Sequence, residues 1–449
     1  MKSFPASRPR ALLATSVSIA VTLAACTKEN ADRDPRAQND VAPAASGEAP
    51  PTTESAAAPV ASAPAALAAE PLEKDDPNVP EFKPAFAGQT RAPEARSPVR
   101  FEVREIAGDL EKPWAVAFLP DRRMLVTEKP TGKLFIVSPE GKKSTAIQGL
   151  PKVDGRDQGG LLDVEVAPDY AQSSLVYWTY YEPRKGGNGL AVARGRLVDG
   201  SAPRLQSVQV IFRMQPTLES TKHAGGRLVF APDGKLFVTL GERSILEGRK
   251  QARELESHLG KVVRINPDGT VPDDNPFAGR AGARPEIWSS GHRNVLSAAL
   301  DDQDRLWVVE MGPQGGDELN LVQKGRDYGW PTIGYGEEYS GDKIHDSTQA
   351  TGLEQPVYYW DPVISPSGLA VYSGKSFPEW KGNLFVGSLS KKALVRLVVE
   401  NDRVVGEEHL LTDREERIRE VVEGPDGALY LLTDDDDGKL LALGPAIPQ

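Results

Sequence analysis

The 449-residue chain holds one cysteine, Cys26, so no disulfide can form within it. Beyond one apolar run near the start, from Ala11 to Ala25, it has no stretch long and apolar enough to cross a bilayer. Positive charge is in deficit: 53 Lys and Arg stand against 64 Asp and Glu, and the net charge of −11 argues against a nucleic-acid partner. Aromatics are only 7% of the chain, and all seven tryptophans fall after residue 98. Helical periodicity is nearly absent from that part, which excludes a helix bundle and favours an all-β class.

What is present begins with a leader. Lys2, Arg8 and Arg10 precede the apolar run, which ends in Leu23-Ala24-Ala25-Cys26, a secretory signal with small residues before a cysteine. This resembles the lipobox of bacterial lipoproteins and implies a lipid anchor at Cys26 and an extracytoplasmic protein. An ordinary signal peptide that happens to contain a cysteine is the alternative. In a Gram-negative host, Thr27 after the cysteine points to the outer membrane, facing the periplasm. Residues 27–98 are dominated by Ala, Pro, Glu, Ser and Thr with Phe82 and Phe86 as the only aromatics, the composition of a disordered spacer. Residues 99–449 form the globular domain.

That domain repeats one phrase six times: AFLPDRRMLVTE (117–128), EVAPDYAQSSLVYWTY (165–180), VFAPDGKLFVTLGE (229–242), ALDDQDRLWVVE (299–310), SFPEWKGNLFVGSL (376–389) and EGPDGALYLLTD (423–434). Each is strand, tight turn, strand, since Asp caps such a turn with its carboxylate and Gly accepts positive φ. Their spacing fits one four-stranded antiparallel blade per copy, hence a six-bladed β-propeller with a central channel. Loops at one mouth of such a channel build the site.

Four segments break the bland composition of the repeats. Gln158-Gly159-Gly160-Leu161-Leu162 offers an amide beside a backbone that can turn sharply; alone, such a pair of glycines is more often only a turn. His223-Ala224-Gly225-Gly226-Arg227-Leu228 places an imidazole, the side chain best suited to take a hydroxyl proton near neutral pH, before two glycines. His258, His292, His345 and His409 are the other histidines, and position relative to the repeat favours His223 as the base. Gly291-His292-Arg293-Asn294 sets a guanidinium beside an amide, suited to carboxylates or quinone oxygens, or to a surface salt bridge. Glu310 to Glu318, running on to Tyr328-Gly329-Trp330-Pro331, combines main-chain carbonyls with Asp317 and Glu318, hard oxygens of the kind calcium takes, without the spacing of an EF-hand.

Together with Gly-Lys-Val-Val-Arg-Ile-Asn-Pro-Asp-Gly (260–269), these motifs resemble the soluble, pyrroloquinoline-quinone-dependent sugar dehydrogenases, in the family's order, from about Glu111 to Leu443. The resemblance implies a six-bladed propeller that oxidises the anomeric carbon of aldoses to lactones with pyrroloquinoline quinone (PQQ) and Ca2+. It implies His223 as the general base with hydride transfer to the quinone, and Arg293 as the cation at the reactive carbonyls. Gln158, Asn294, Lys391, Arg417, Arg419 and Trp360 match cofactor-contacting positions. Gly312 and Pro313 match the carbonyls that hold the cofactor's calcium, and Glu318 and Tyr328 a second calcium. An electron acceptor, a quinone or a cytochrome, would complete turnover. Lys222 before the histidine, Ser390-Lys391 in the fifth repeat and Gly241-Glu242 after the third depart from the glucose-oxidising pattern and point to the broad-specificity aldose branch. A calcium-dependent lactonase on the same scaffold, or a non-catalytic propeller binding a glycan or partner, are the competing readings.

Overall fold

The computed structural model describes residues 70–446; the signal segment, Cys26 and the chain up to residue 69 lie outside the described residues. Six antiparallel sheets follow one another along the chain, five with four strands and one with three. Their innermost strands are Pro113–Phe118, Leu161–Val166, Gly225–Phe230, Val295–Leu300, Pro366–Val371 and Ile418–Glu423. Each packs against the next and the last against the first, so the blades close into a ring. This is the six-bladed propeller the repeats predict.

The sixth blade takes its outer strand from the N-terminal side, where Phe101–Leu110 pairs antiparallel with Gly438–Pro445. Closure thus joins two ends of the domain by backbone hydrogen bonds and leaves no open edge there. The first blade departs from the expected four strands. Beyond Lys133–Val137, Ser144 N–H and Ile147 N–H donate to Ile136 and Leu134 carbonyls at 2.8 Å, but no regular fourth strand forms.

Copies one, three, four and six span an aspartate-capped turn between an inner strand and its neighbour, whereas in copies two and five a short helix, Tyr170–Ser173 and Pro378–Trp380, stands in that connection in place of the expected tight turn. Asp233 accepts from Lys235 N–H at 2.9 Å with Gly234 at φ 79°, and Asp426 accepts from Ala428 N–H at 3.1 Å with Gly427 at φ 87°. The aspartate-capped turn is therefore physical, not only a pattern. The second strands Met124–Glu128, Leu236–Leu240, Leu306–Glu310 and Leu384–Ser388 are buried throughout. Blades cover both of their faces, which explains continuous Leu and Val runs where a one-sided sheet would alternate.

The spacer expected to reach residue 98 gives way earlier. Residues 70–98 lie as a strap along the outer strands of blades four and five: Gln89 O accepts from Tyr359 N–H at 2.9 Å, Pro93 O from Glu407 N–H at 3.0 Å, and Glu407 O from Ala95 N–H at 2.8 Å. Gln89 is fully buried, Phe82 stacks on His345 at 5.4 Å, and Arg403 lies 3.6 Å over Phe86. A few anchor residues and the hydrogen-bonding need of two sheet edges order a segment whose average composition is that of a solvated chain.

Candidate active site

All six inner strands begin at one mouth of the channel, and the residues just before or at those starts surround a cavity of about 380 Å³. Blade one contributes Lys112, Trp114 and Lys129; blade two Asp157, Gln158 and Tyr181; blade three Ala224 and Gly225. Asn294 and Met311 come from blade four, Ser365 and Leu389 from blade five, and Arg417, Arg419 and Asp434 from blade six. The aspartate-capped turns stand at the opposite ends of the same strands. A larger hollow of about 690 Å³ between blades four and five opens at that turn face, where Arg305 pairs with Asp301 and Asp402, both at 2.8 Å, and none of the four motif segments reaches it.

His223, next to the cavity-lining Ala224 and Gly225, is in a left-handed conformation, φ 47°, with Gly225 and Gly226 also at positive φ. A non-glycine residue there needs bracing. The His223 carbonyl accepts from Arg243 N–H at 3.0 Å, the buried Arg243 guanidinium donates to Lys222 O at 3.0 Å, and His223 N–H donates to Gln158 Oε1 at 3.0 Å. A Cβ at Gly241 would collide with the His223 carbonyl, so the glycine before Glu242 lets the two segments meet.

The imidazole Nδ1 lies 2.9 Å from Oε1 of the fully buried Glu242, whose other oxygen accepts from Ser244 N–H at 3.0 Å. The carboxylate fixes the proton on Nδ1 and leaves Nε2 as an acceptor, with no hydrogen bond to any described residue. Burial, and next the charge of Arg293, push the His223 pKa down to about 4 against the pull of Glu242. The ring is therefore neutral, and a base, at neutral pH.

Arg293 is buried behind this wall. Its Nη1 donates to the carbonyls of Met311 at 2.8 Å and Gly312 at 2.6 Å, its guanidinium lies 5.4 Å over Trp330, and its Nε is buried with no partner. Glu310, Gly312, Pro313, Glu318, Tyr328 and Trp330 join it around a cavity of about 20 Å³. Burial, then the neighbouring Glu310, raise the Glu318 pKa to about 8, and Asn320 Oδ1 beside them has no donor. Asp317 is no candidate ligand: it already accepts from the N–H groups of Gly312, Ile364 and Ser365 and shapes the loop. The Tyr328 hydroxyl is likewise engaged, donating to Leu321 O at 2.6 Å. Among the described residues no group of three or more His, Cys, Asp or Glu side chains is placed to hold a metal, so main-chain carbonyls must supply most of any calcium shell.

At the opposite wall Arg417 and Arg419 share Asp434, at 2.7 and 3.0 Å. Against its own burial, their charges hold Asp434 at about 2. The cavity is thus lined by Lys112, Lys129, Arg417 and Arg419 against Asp157 and Asp434. A surplus of cations fits a small polyanion.

The structure places Gln158, Asn294, Arg417 and Arg419 around the larger cavity, with His223 bonded to Gln158 beside it, and Arg293, Gly312, Pro313, Glu318 and Tyr328 around the smaller one. It does not bring in Trp360 or Lys391. Trp360 is core: its ring is 4% exposed, packs edge-on to Tyr358 at 5.2 Å, and donates Nε1 to Glu407 at 3.2 Å. Lys391 is turned to the strap, where Glu73 holds its ammonium at 2.7 Å. Lys112, Trp114, Lys129, Tyr181, Glu242 and Asp434 were not legible as site residues. Five of them had one available signal: like Glu310 and Met311, they sit at the start of an inner strand or at or just past the end of a second strand.

A family model described as glucose/sorbosone dehydrogenase matches residues 110–442. The chain belongs to that family. It is 42% identical over 353 residues to the aldose sugar dehydrogenase YliI of Escherichia coli K12, covering 78% of this chain and 94% of that protein. A crystal structure of a glucose dehydrogenase superposes with a TM-score of 0.74 at 48% identity, over 77% of this chain and all of the other. The PQQ-bound aldose sugar dehydrogenase of Streptomyces coelicolor does so with a TM-score of 0.64 at 27% identity, over 78% of this chain and 99% of that one. Membership makes the chain a sugar dehydrogenase.

Proposed function

We propose that this protein oxidises aldose sugars at the anomeric carbon to lactones, using PQQ and calcium, with His223 as general base and hydride transfer to the quinone. One observation carries the reading: a neutral imidazole, oriented by Glu242 and with Nε2 unpaired, directly precedes Ala224 and Gly225 in the lining of a cavity that also takes cations from opposite blades. A match to a PQQ-bound relative supports the identity of the cofactor.

In this reading His223 Nε2 takes the proton of the anomeric hydroxyl while Nδ1–H stays on Glu242, which stabilises the imidazolium that forms. Arg293 sits behind the wall as fixed positive charge for an oxygen that becomes anionic. Arg417 and Arg419 bind carboxylates, and Gln158, its oxygen committed to His223 N–H, presents its amide nitrogen, with Asn294 beside it. Bound here, the quinone supplies the two-electron acceptor and calcium polarises it. Gly312 and Pro313 carbonyls would hold that ion, Gly312 O keeping a second lone pair beside its bond from Arg293, and Glu318 with the Tyr328 main chain would hold a second. An external quinone or cytochrome would then take the electrons. Cys26 would tether the enzyme to an extracytoplasmic membrane surface, with residues 27–69 as spacer; no helix among the described residues is long and apolar enough to cross a membrane.

The test is dye reduction by the chain lacking residues 1–26, supplied with calcium and PQQ, across a panel of aldoses. Turnover with aldose donors is expected. Absence of turnover for the whole panel, together with no quinone-dependent absorbance change or thermal shift, would sink the reading.

A further inference from the structure

Of the four cations lining the cavity, three already have a carboxylate. Lys112 pairs with Asp436 at 2.9 Å, and Arg417 and Arg419 pair with Asp434. Lys129 has none: its ammonium meets only the Asp157 carbonyl, at 3.2 Å, and no described carboxylate stands within ion-pair distance. Its place is built. Lys129 N–H donates to Lys112 O and Lys129 O accepts from Leu161 N–H at 3.0 Å, which ties blade one to the Gln-Gly-Gly-Leu-Leu segment. A Cβ at Gly160, φ 138°, would collide with the Lys129 carbonyl and lie 2.8 Å from its Cγ, so the second glycine of that motif makes room for this lysine.

Lys391 is the converse case. Glu73 holds it at 2.7 Å with Asp75 at 3.8 Å, and the Arg91 guanidinium fixes both acids by donating to their carbonyls at 3.2 and 2.7 Å and to Asp361 O at 2.9 Å. Freeing Lys391 would break a partly buried ion pair braced from three sides.

We propose that Lys129 is the lysine that receives a carboxylate of the bound cofactor, and that Lys391 is an anchor for the strap. This rests on the quinone reading above. A consequence follows for pH. Burial, and next the charge of Arg419, lower the Lys129 pKa to about 8, with Lys112 acting in the same sense and Asp434 and Asp157 opposing. An arriving carboxylate favours the ammonium, so binding takes up a proton above that pH and affinity falls as pH rises through it.

The experiment is calorimetric titration of full-length, quinone-free protein with PQQ, in the wild type and in Lys129→Met, Lys129→Arg and Lys391→Met, with thermal unfolding to verify folding. Loss of one charge-assisted bond predicts affinity lower by about 10- to 100-fold in Lys129→Met. Recovery in Lys129→Arg and affinity within about twofold of wild type in Lys391→Met are expected. Wild-type affinity in folded Lys129→Met, or a tenfold loss in Lys391→Met, would overturn the assignment while leaving the quinone reading standing. Failure of the wild type itself to bind PQQ would remove both.

Discussion

Blades three and four carry the same pair of side chains in nearly the same place, with opposite outcomes. In each, a histidine just before the inner strand bonds through Nδ1, at 2.9 Å, to a buried glutamate at the end of the second strand: His223 with Glu242, His292 with Glu310. In blade four the second ring nitrogen is taken by Ser289 Oγ at 2.8 Å, the ring stacks on Tyr328 at 4.7 Å, and Glu310 also accepts from Arg293 N–H and Asn320. Ser289, His292 and Glu310 have the hydrogen-bond order of a hydrolytic triad, yet Ser289 and His292 are fully buried. That dyad is a joint which positions Arg293. In blade three the second nitrogen bonds to no described residue, and the next two residues, Ala224 and Gly225, line the cavity. A dyad becomes a base through what its free nitrogen meets, and the residue pair alone does not tell which.

The comparison can be broken at the carboxylates first. Glu242→Gln would donate an amide N–H to Nδ1, force the proton onto Nε2 and remove the base, lowering kcat by roughly 10²–10⁴. Glu310→Gln should change kcat by less than about tenfold and instead cost about 3 kcal/mol of stability, because it breaks a buried network. Equal effects on turnover would contradict the division of labour. Replacing Arg417 and Arg419 together should weaken PQQ binding by about 10²-fold or more in calorimetry while His223 remains intact; unchanged affinity would count against their role.

The pH dependence sharpens it next. With His223 depressed to about 4, the rising limb of kcat/KM should lie near that value and not near 6.5. The same depression means the unfolded chain binds the extra proton between about 4 and 6.5, so this group adds stability as pH rises across that window. Deep in the channel the sign reverses. Burial raises Glu165 to about 8 and Glu420 to about 7, beside Arg227 and Asp163. There the folded chain holds the extra protons, and stability falls as pH climbs from about 4.5 to 8. Glu165→Gln should flatten that fall in thermal unfolding scans; an unchanged slope would place the protons elsewhere. The smallest effect expected is from the strap: Phe82→Ala should lower stability by about 2 kcal/mol through loss of half-buried aromatic area against His345, and no measurable change would return this segment to the role of spacer.

The ring was legible because each blade repeats a turn whose mechanism is local. Asp233, Gly234 and their equivalents act within a few residues, and periodicity exposes them. His223 and Arg293 were legible because each interrupts that repeat, and Arg417 and Arg419 through the family resemblance. Lys129 and Glu242 were not, since each is one charged residue at the end of an apolar strand and its meaning comes from the blade across the axis. Trp360 and Lys391 misled for the same reason in reverse: their neighbours in sequence lie near the site, but Glu407 and Glu73, distant in the chain, decide where they point. The strap escaped because composition averages over its length while three or four anchors do the docking.

The most direct measurement compares His223→Ala and His292→Ala in one dye-reduction assay, both loaded with calcium and PQQ and both shown to bind the quinone. The account predicts that His223→Ala loses turnover by at least about 10²-fold with cofactor binding kept, while His292→Ala loses stability and keeps most of its kcat. Turnover retained in His223→Ala, or lost only in His292→Ala, would contradict it.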